Sequence, residues 1–211
     1  MKVVAIARSA LSKYSELALG MHSLRRRVFK DRLDWTVSVS AGLEIDKYDL
    51  LAPNYLLVLE RREVIGCVRL LPTTGDNMLA NTFSVLLDGP PAPASARIWE
   101  SSRFCVDTQK ADATAGNGLR HATFLLFAAM IEWGRHRGLE AIATVTDLRM
   151  ERILRRAGWG LERLGEPRQI GTTKAIAGLL PVTEDALAAV RAVGKISESV
   201  IEAPSDLALA A

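Results

Sequence analysis

Long apolar runs, cysteine and histidine are all scarce in this 211-residue chain, which has two Cys and three His. No segment reaches the roughly 18 consecutive apolar residues that a membrane-spanning helix requires. The N-terminal apolar stretch is short, ending before Lys13 and Glu16, so neither a membrane span nor a secretory leader is expected and a cytoplasmic protein is. Cys67 and Cys105 sit in apolar, strand-like runs without metal-ligand spacing and read as reduced core thiols. With three histidines there is no convincing Ser-His or Cys-His set, which argues against a covalent enzyme nucleophile. Aromatics make up 6% of the chain and the net charge is only +3. Without a basic stripe and stacking aromatics this does not indicate nucleic-acid binding, though it suits an acidic partner. Repeats and low-complexity linkers are missing too, and 49% of residues are hydrophobic. One domain over residues 1–211 is expected, with a tail frayed after about residue 198.

What is present alternates between strand and helix patterns. Residues 2 to 7 read as a strand. Residues 11 to 29 read as a helix whose stripe Leu17, Met21, Leu24, Val28 follows the i, i+4, i+7, i+11 spacing. Arg25 lies beside that stripe, between Met21 and Phe29 four residues away on either side, and should leave the helix toward the interior or a cleft. Residues 30 to 52 lack a clean period and predict a long loop. Residues 55 to 60 and 64 to 71 predict a hairpin around Arg61-Arg62-Glu63. A turn over 73 to 77, a short helix over 78 to 87 and a stiff Pro-rich loop then lead to the strand holding Glu100. After a polar stretch over 107 to 117, residues 119 to 137 predict a buried helix, 140 to 146 a strand and 147 to 157 a helix with Asp147 near its N-cap. A late strand over 171 to 180 and a last helix over 183 to 193 complete an α/β order. Such an order implies a mixed central β-sheet flanked by helices, with ligand sites at strand ends or where strands splay.

Against this apolar pattern the charges at Glu100 and Arg103 stand out. Trp99-Glu100-Ser101-Ser102-Arg103-Phe104 otherwise reads as an interior strand, where an ionised side chain costs several kcal/mol unless it is paired or meets a charged ligand. Arg25, Asp46, Asp49 and Arg69 are likewise embedded among large apolar residues. Either these groups pair with one another as structure, or they hold a charged ligand. Strict alternation would place Trp99, Ser101 and Arg103 on one sheet face and Glu100, Ser102 and Phe104 on the other. A shared site therefore requires a β-bulge or a strand splay near residues 100 to 104.

Six motifs in order resemble the autoinducer synthases, which make N-acyl-homoserine lactone signals. They are Leu24-Arg25-x-x-Val28-Phe29, Arg32-Leu33-x-Trp35, Glu44-x-Asp46-x-Tyr48-Asp49, Gly66-Cys67-Val68-Arg69-Leu70-Leu71-Pro72, Phe83, and Glu100-x-Ser102-Arg103-Phe104. Weaker similarity runs through Thr144-Val145-Thr146 and Glu151-Arg152-x-Leu154-x-Arg156-x-Gly158 to about residue 181. The wording from Glu100 to Thr108 is most similar to the rhizobial plasmid-transfer branch.

The resemblance implies an N-acetyltransferase-like fold and a quorum-sensing acyltransferase. S-adenosylmethionine would give its amine to an acyl thioester on acyl carrier protein and then lactonise, releasing methylthioadenosine. S-adenosylmethionine is then a substrate, and no cofactor or metal is implied. An ammonium with a pKa of roughly 8 must lose its proton before it attacks. Glu100 is the implied base, with Asp46 and Asp49 binding the amine or helping to deprotonate it. Arg25 and Arg103 are candidates for the substrate carboxylate, which a planar guanidinium grips through two parallel bonds. Phe29 and Trp35 either pack on adenine and sulfonium or belong to the core. Arg69, Phe83 and Ser102 read as structural or supporting, Arg69 through an acid such as Asp46 or Asp49. Phe104, Leu126, Met130 and Thr144 could line an acyl slot. In the resembling family a threonine matching Thr144 goes with 3-oxo chains, which suggests a medium 3-oxo chain, although Thr144 is also an ordinary β-branched strand residue. Arg152, Arg155 and Arg156 are the best local cluster for an acidic carrier protein, or else a solvated helix face.

Two other classes compete. Ala113-Thr114-Ala115-Gly116-Asn117-Gly118 resembles the pyrophosphate loop of acetyl-coenzyme A-dependent N-acetyltransferases, with Ala113 replacing its Gln or Arg. A non-catalytic protein binding nucleoside or acyl ligands would retain the charged set without turnover.

Overall fold

The computed structural model describes residues 1–108 and 121–202. Strand β1 (Lys2–Ala7) buries Val3, Val4 and Ile6. It leads through a 3-10 turn, Arg8–Tyr14, into helix α1 (Ser15–Arg25), which widens into a π turn over Arg26–Arg32. The stripe Met21, Leu24, Val28 is buried as its spacing requires. The π turn ends with Leu33 N–H on the Val28 carbonyl and Trp35 N–H on that of Phe29, which folds Trp35 back over the helix end. Residues 30 to 52 are more ordered than a long loop. They hold a hairpin of β2 (Val39–Ser40) and β3 (Leu43–Glu44) and a 3-10 turn over Lys47–Leu50. The pattern was hidden because the hairpin turns on Ala41 and Gly42, both at positive φ, with only two residues per strand.

Strands β4 (Asn54–Glu60) and β5 (Glu63–Pro72) form the expected hairpin. The helix expected over 78 to 87 is instead α2 (Met78–Asn81) followed by a 3-10 turn, Ser84–Leu86, since Asn81 and Thr82 are poor helix formers. Then come β6 (Ile98–Val106), α3 (His121–His136), β7 (Ala141–Asp147), α4 (Leu148–Arg156), β8 (Glu162–Arg163), β9 (Arg168–Ile170), β10 (Thr173–Pro181), α5 (Glu184–Gly194) and β11 (Ile201–Glu202). The tail is held further than expected. Ser199 Oγ and Val200 N–H bond Glu132, and β11 adds a parallel strand to β1.

Among the described residues the main sheet has the order β11-β1-β4-β5-β6-β7-β10-β8, with β9 also paired to β10. It is mixed: β6–β7 and β1–β11 are parallel, the other pairs antiparallel. α3 and α5 bury Phe124, Leu126, Phe127, Ile131 and Leu187 on one face, and α1 buries Met21 and Leu24 on the other. No described helix is long and apolar enough to cross a membrane.

Two irregularities shape the centre. Parallel pairing of β6 and β7 ends at Ser101 and Thr144, although the strands run on to Val106 and Asp147, so their C-terminal ends part. Next to that gap, β5 and β6 align at Arg69 with Ser102 and again at Cys67 with Cys105, so one residue of β5 faces two of β6. This is a β-bulge, and Arg103 occupies it at φ 54°.

Candidate active site

The bulge sets the site. Phe104 packs against Phe127 on the α3 face, whereas Ser102 and Arg103, consecutive in sequence, both meet groups of the α1 face. Glu100 and Arg103 therefore share one side of the sheet.

Five elements send charges to that side, Glu44 coming from β3. Arg25, from the last turn of α1, donates through Nε to Glu44 at 2.5 Å and grips both Asp49 oxygens at 2.8 Å each. Asp46 and Asp49 form a capping box around the Lys47–Leu50 turn, which fixes their separation locally. Arg69, on β5, reaches Ser102 Oγ at 3.1 Å, Asp46 at 2.6 and 3.2 Å, and Asp49 at 2.9 Å. Arg103 donates to Glu44 at 3.0 Å and pairs with Asp46 at 2.6 Å, with its guanidinium over the Phe29 ring. Tyr55 donates its hydroxyl to Asp49 at 2.8 Å.

The network sorts its members by exposure. The side chains of Arg25, Arg69 and Glu44 have no exposed area, while Arg103 and Asp46 retain 12% and 13%. Burial alone would raise the Asp49 pKa, but hydrogen bonds and charge from Arg25, with the charge of Arg69, hold it well below the usual carboxylate range. His22 meets the Glu44 carbonyl through Nδ1, and burial beside Arg25 lowers its pKa.

Glu100 behaves oppositely. Burial raises its pKa, against the backbone N–H groups of Leu79 and Met78 and the charges of Arg69 and Arg103. Oε2 accepts from Leu79 N–H at 2.6 Å, whereas Oε1 is buried and has no hydrogen-bond partner among the described residues. Of the carboxylates expected to do proton chemistry, only this one keeps an oxygen open, since both oxygens of Asp46 and of Asp49 are engaged.

Trp35 is 39% exposed and stacks on buried Phe29 with ring centroids 5.3 Å apart. Phe83 is half-buried between Leu79 and Leu86 on one side and Tyr48 and Met78 on the other. Leu126 and Met130 are buried in the α3 core, and Phe104 packs against that same core. Thr144 is also buried, opposite Ser101 at the point where β6 and β7 separate. Arg152, Arg155 and Arg156 are exposed on α4, which leaves the C-terminal end of β7 at that gap. The motif at residues 113 to 118 lies outside the described residues. One cavity of about 410 Å³ is lined by Ala80, Ser84, Leu87 and Pro90, and another of about 710 Å³ by Glu132, Trp133, Arg137 and Arg191; neither is lined by the charged cluster.

Glu44 was absent from the residues singled out as site groups, yet it joins Arg25 to Arg103. The available signal was its place in Glu44-x-Asp46, two residues before a selected acid. Met78, whose sulfur lies 3.2 Å from Arg69 Nη2 and 3.5 Å from Arg103 Nη1, gave no signal, because a methionine in a short helix reads as core.

The autoinducer synthase family model matches residues 9–190. The chain is 48% identical over 182 residues to the acyl-homoserine-lactone synthase of Agrobacterium fabrum, covering 86% of each chain. It is similar to the solved structure of the AHL synthase LasI, with 35% identity, coverage of 90% and 94%, and a TM-score of 0.79. The structure of BjaI, a CoA-dependent acyl-homoserine lactone synthase, matches at TM-score 0.86 and 24% identity, covering 96% and 92%, a likeness of fold. The N-acetyltransferase-like architecture extends to more distant acyl-transferring proteins.

Proposed function

The chain belongs to the autoinducer synthase family and is an acyl-homoserine-lactone-forming transferase, and from this premise we propose how its own residues carry the reaction. S-adenosylmethionine sits against Arg103, Phe29 and Trp35, and its amine lies within hydrogen-bond reach of Glu100. The observation that carries this reading is the buried, unpartnered Oε1 of Glu100, in a carboxylate whose pKa is raised by burial. A base must have an open oxygen and an appreciable proton affinity, and a carboxylate held as low as Asp49 has little of the second. Asp46 and Asp49 instead act by holding the arginines.

Arg103 meets the substrate carboxylate. Among the described residues, three of the five N–H groups of its guanidinium have partners, those to Glu44, Asp46 and Met78. Arg25, fully buried with all three nitrogens on carboxylates, takes the supporting role. Once Glu100 has taken the proton, the amine attacks the acyl thioester carbonyl and the donor thiol leaves. The methionyl carboxylate then attacks its own γ-carbon, and the carbon–sulfur electron pair departs with methylthioadenosine. This step consumes a carboxylate and a sulfonium together, so exclusion of water by the surrounding burial favours it.

The acyl chain lies on the opposite face, among Phe104, Leu126, Met130 and Thr144, and reaches the amine through the gap between β6 and β7. Thr144 at the apex of that gap supports a 3-oxo chain of medium length, its hydroxyl bonding the extra carbonyl. The arginines of α4 stand at the open end, which favours an acidic carrier protein as donor; the CoA-dependent relative of like fold makes acyl-CoA the second reading.

The test incubates the protein with S-adenosylmethionine and either 3-oxooctanoyl carrier protein or the matching acyl-CoA, and follows methylthioadenosine and lactone by mass spectrometry. Both products with the carrier-protein donor are expected. Transfer to another amine without methylthioadenosine, or binding without turnover, defeats the proposal.

A further inference from the structure

Arg69 spends every donor it has. A guanidinium carries five N–H groups. Four of those of Arg69 go to oxygen, on Ser102, Asp49 and twice on Asp46, and the fifth contact is Nη2 to the Met78 sulfur at 3.2 Å. The same sulfur lies 3.5 Å from Arg103 Nη1. One thioether, of a residue only 8% exposed and otherwise packed against Tyr48 and Leu71, thus stands between two guanidinium groups. An apolar contact would leave both cations facing a group that accepts nothing. In a buried site an unsatisfied charged donor is costly enough to move.

We infer that Met78 is a positioning residue whose sulfur, as a hydrogen-bond acceptor, sets the orientation of Arg103 toward the substrate carboxylate; this rests on the reading of Arg103 given above. Glu44 and Asp46 hold Nε and Nη2 of Arg103, and the sulfur holds Nη1, so three points fix the plane of the guanidinium. The sulfur also ties that plane to Arg69, which is itself immobilised by its carboxylates. The remaining N–H groups of Arg103 are then presented at one angle. The lone pairs of a thioether accept without adding a negative charge, so Arg103 keeps its attraction for an incoming carboxylate, which a third carboxylate in that place would weaken.

Two variants of similar volume separate an acceptor from a filler. Met78→Leu preserves the apolar contacts with Tyr48 and Leu71 and removes the acceptor; Met78→Gln offers an amide oxygen at the cost of polarity. Steady-state kinetics are measured for both substrates, with thermal melting of each variant. Met78→Leu is expected to raise the KM for S-adenosylmethionine by about 10-fold while the KM for the acyl donor changes less than about two-fold, and Met78→Gln to stay within about three-fold of wild type for both. A filler role gives the reverse ranking. Wild-type kinetics in Met78→Leu, or a larger defect in Met78→Gln than in Met78→Leu, overturns the inference. If Met78→Leu shows no cooperative melting, the KM of Met78→Gln decides alone, near wild type in support and strongly raised against. Methylthioadenosine release by the wild type is followed alongside. Its absence defeats the substrate reading, whereas an unexpected ranking of variants in an active enzyme defeats only the role of Met78.

Discussion

Glu100 and Arg103, three residues apart on β6, face the same side of the sheet because the strand bulges between Ser102 and Cys105. Without the extra residue the carboxylate and the guanidinium would point to opposite layers. The bulge thereby puts the proposed base and the proposed carboxylate binder within one site, while the next residue, Phe104, turns to the apolar face.

Replacing the proposed base should separate activity from stability. Glu100→Gln is expected to cut turnover by about 100-fold or more, in the range usual for losing a general base. Folding raises the pKa of Glu100 above its ordinary 4.5, so its contribution to stability is full below that value and is lost as pH rises through the folded value. The neutral variant escapes this penalty and should melt higher at pH 7, by about 2–4 °C for each kcal/mol relieved. The difference should vanish below pH 4.5. Wild-type turnover, or a melting difference that does not depend on pH, counts against the assignment.

Asp49 should show the opposite dependence. Its pKa is lowered on folding from an ordinary 3.8, so the stability it contributes is fully present above that value and drains away as pH falls through the folded value. Asp49→Asn leaves Arg25 and Arg69 short of a buried charge partner and should destabilise by about 3–5 kcal/mol, with a flatter acid limb in urea melts taken at several pH values. A loss below about 1 kcal/mol, the size typical of an exposed pair, would show that the cluster is not held as described.

Arg103→Lys keeps the charge and loses the fork. The KM for S-adenosylmethionine should rise by about 10-fold or more, since a point charge cannot make two parallel bonds to a carboxylate. Lysine tolerates the positive φ at Arg103 no worse, but buried Glu44 loses its Nε partner, so a fall in melting temperature is expected beside the KM change. An unchanged KM would move the carboxylate elsewhere.

Chain selection should respond to Thr144. Thr144→Val keeps the β-branched shape and removes the hydroxyl, so the ratio of 3-oxo to unsubstituted lactones, read by mass spectrometry from mixed donors, should fall by about 10-fold, the value of one hydrogen bond. An unaltered ratio leaves Thr144 as an ordinary strand residue.

The α4 arginines give a donor test. Changing Arg152 and Arg155 together to Glu should raise the KM for acyl carrier protein several-fold, more strongly at low salt, while the KM for S-adenosylmethionine stays constant. If both constants hold, the carrier protein docks on another face.

Much of this was legible along the chain. The helix at residue 21 shows its face through residues three and four apart, and the β4–β5 hairpin shows itself as two continuous apolar runs on either side of Arg61-Arg62-Glu63. Buried charge is legible too, because Glu100 and Arg69 interrupt strands that are otherwise apolar. The motifs from Arg25 to Phe104 were enough to point to the family. The small pieces were not legible: β8, β9 and β11 have two or three residues each, too few to display a period.

By itself, then, the sequence determined the order of the longer elements, their apolar faces and most of the charges that would be buried, Glu44 excepted, because each depends on neighbours within a few positions. Tertiary structure alone decided the division of labour among those charges. Partners such as Arg25 with Asp49, or Arg103 with Glu44, lie 24 and 59 residues apart and meet only through the register of β5 on β6 and the docking of α1. That register left Glu100 with an open oxygen and Asp49 with none, which is a property of the folded contacts and of no local pattern.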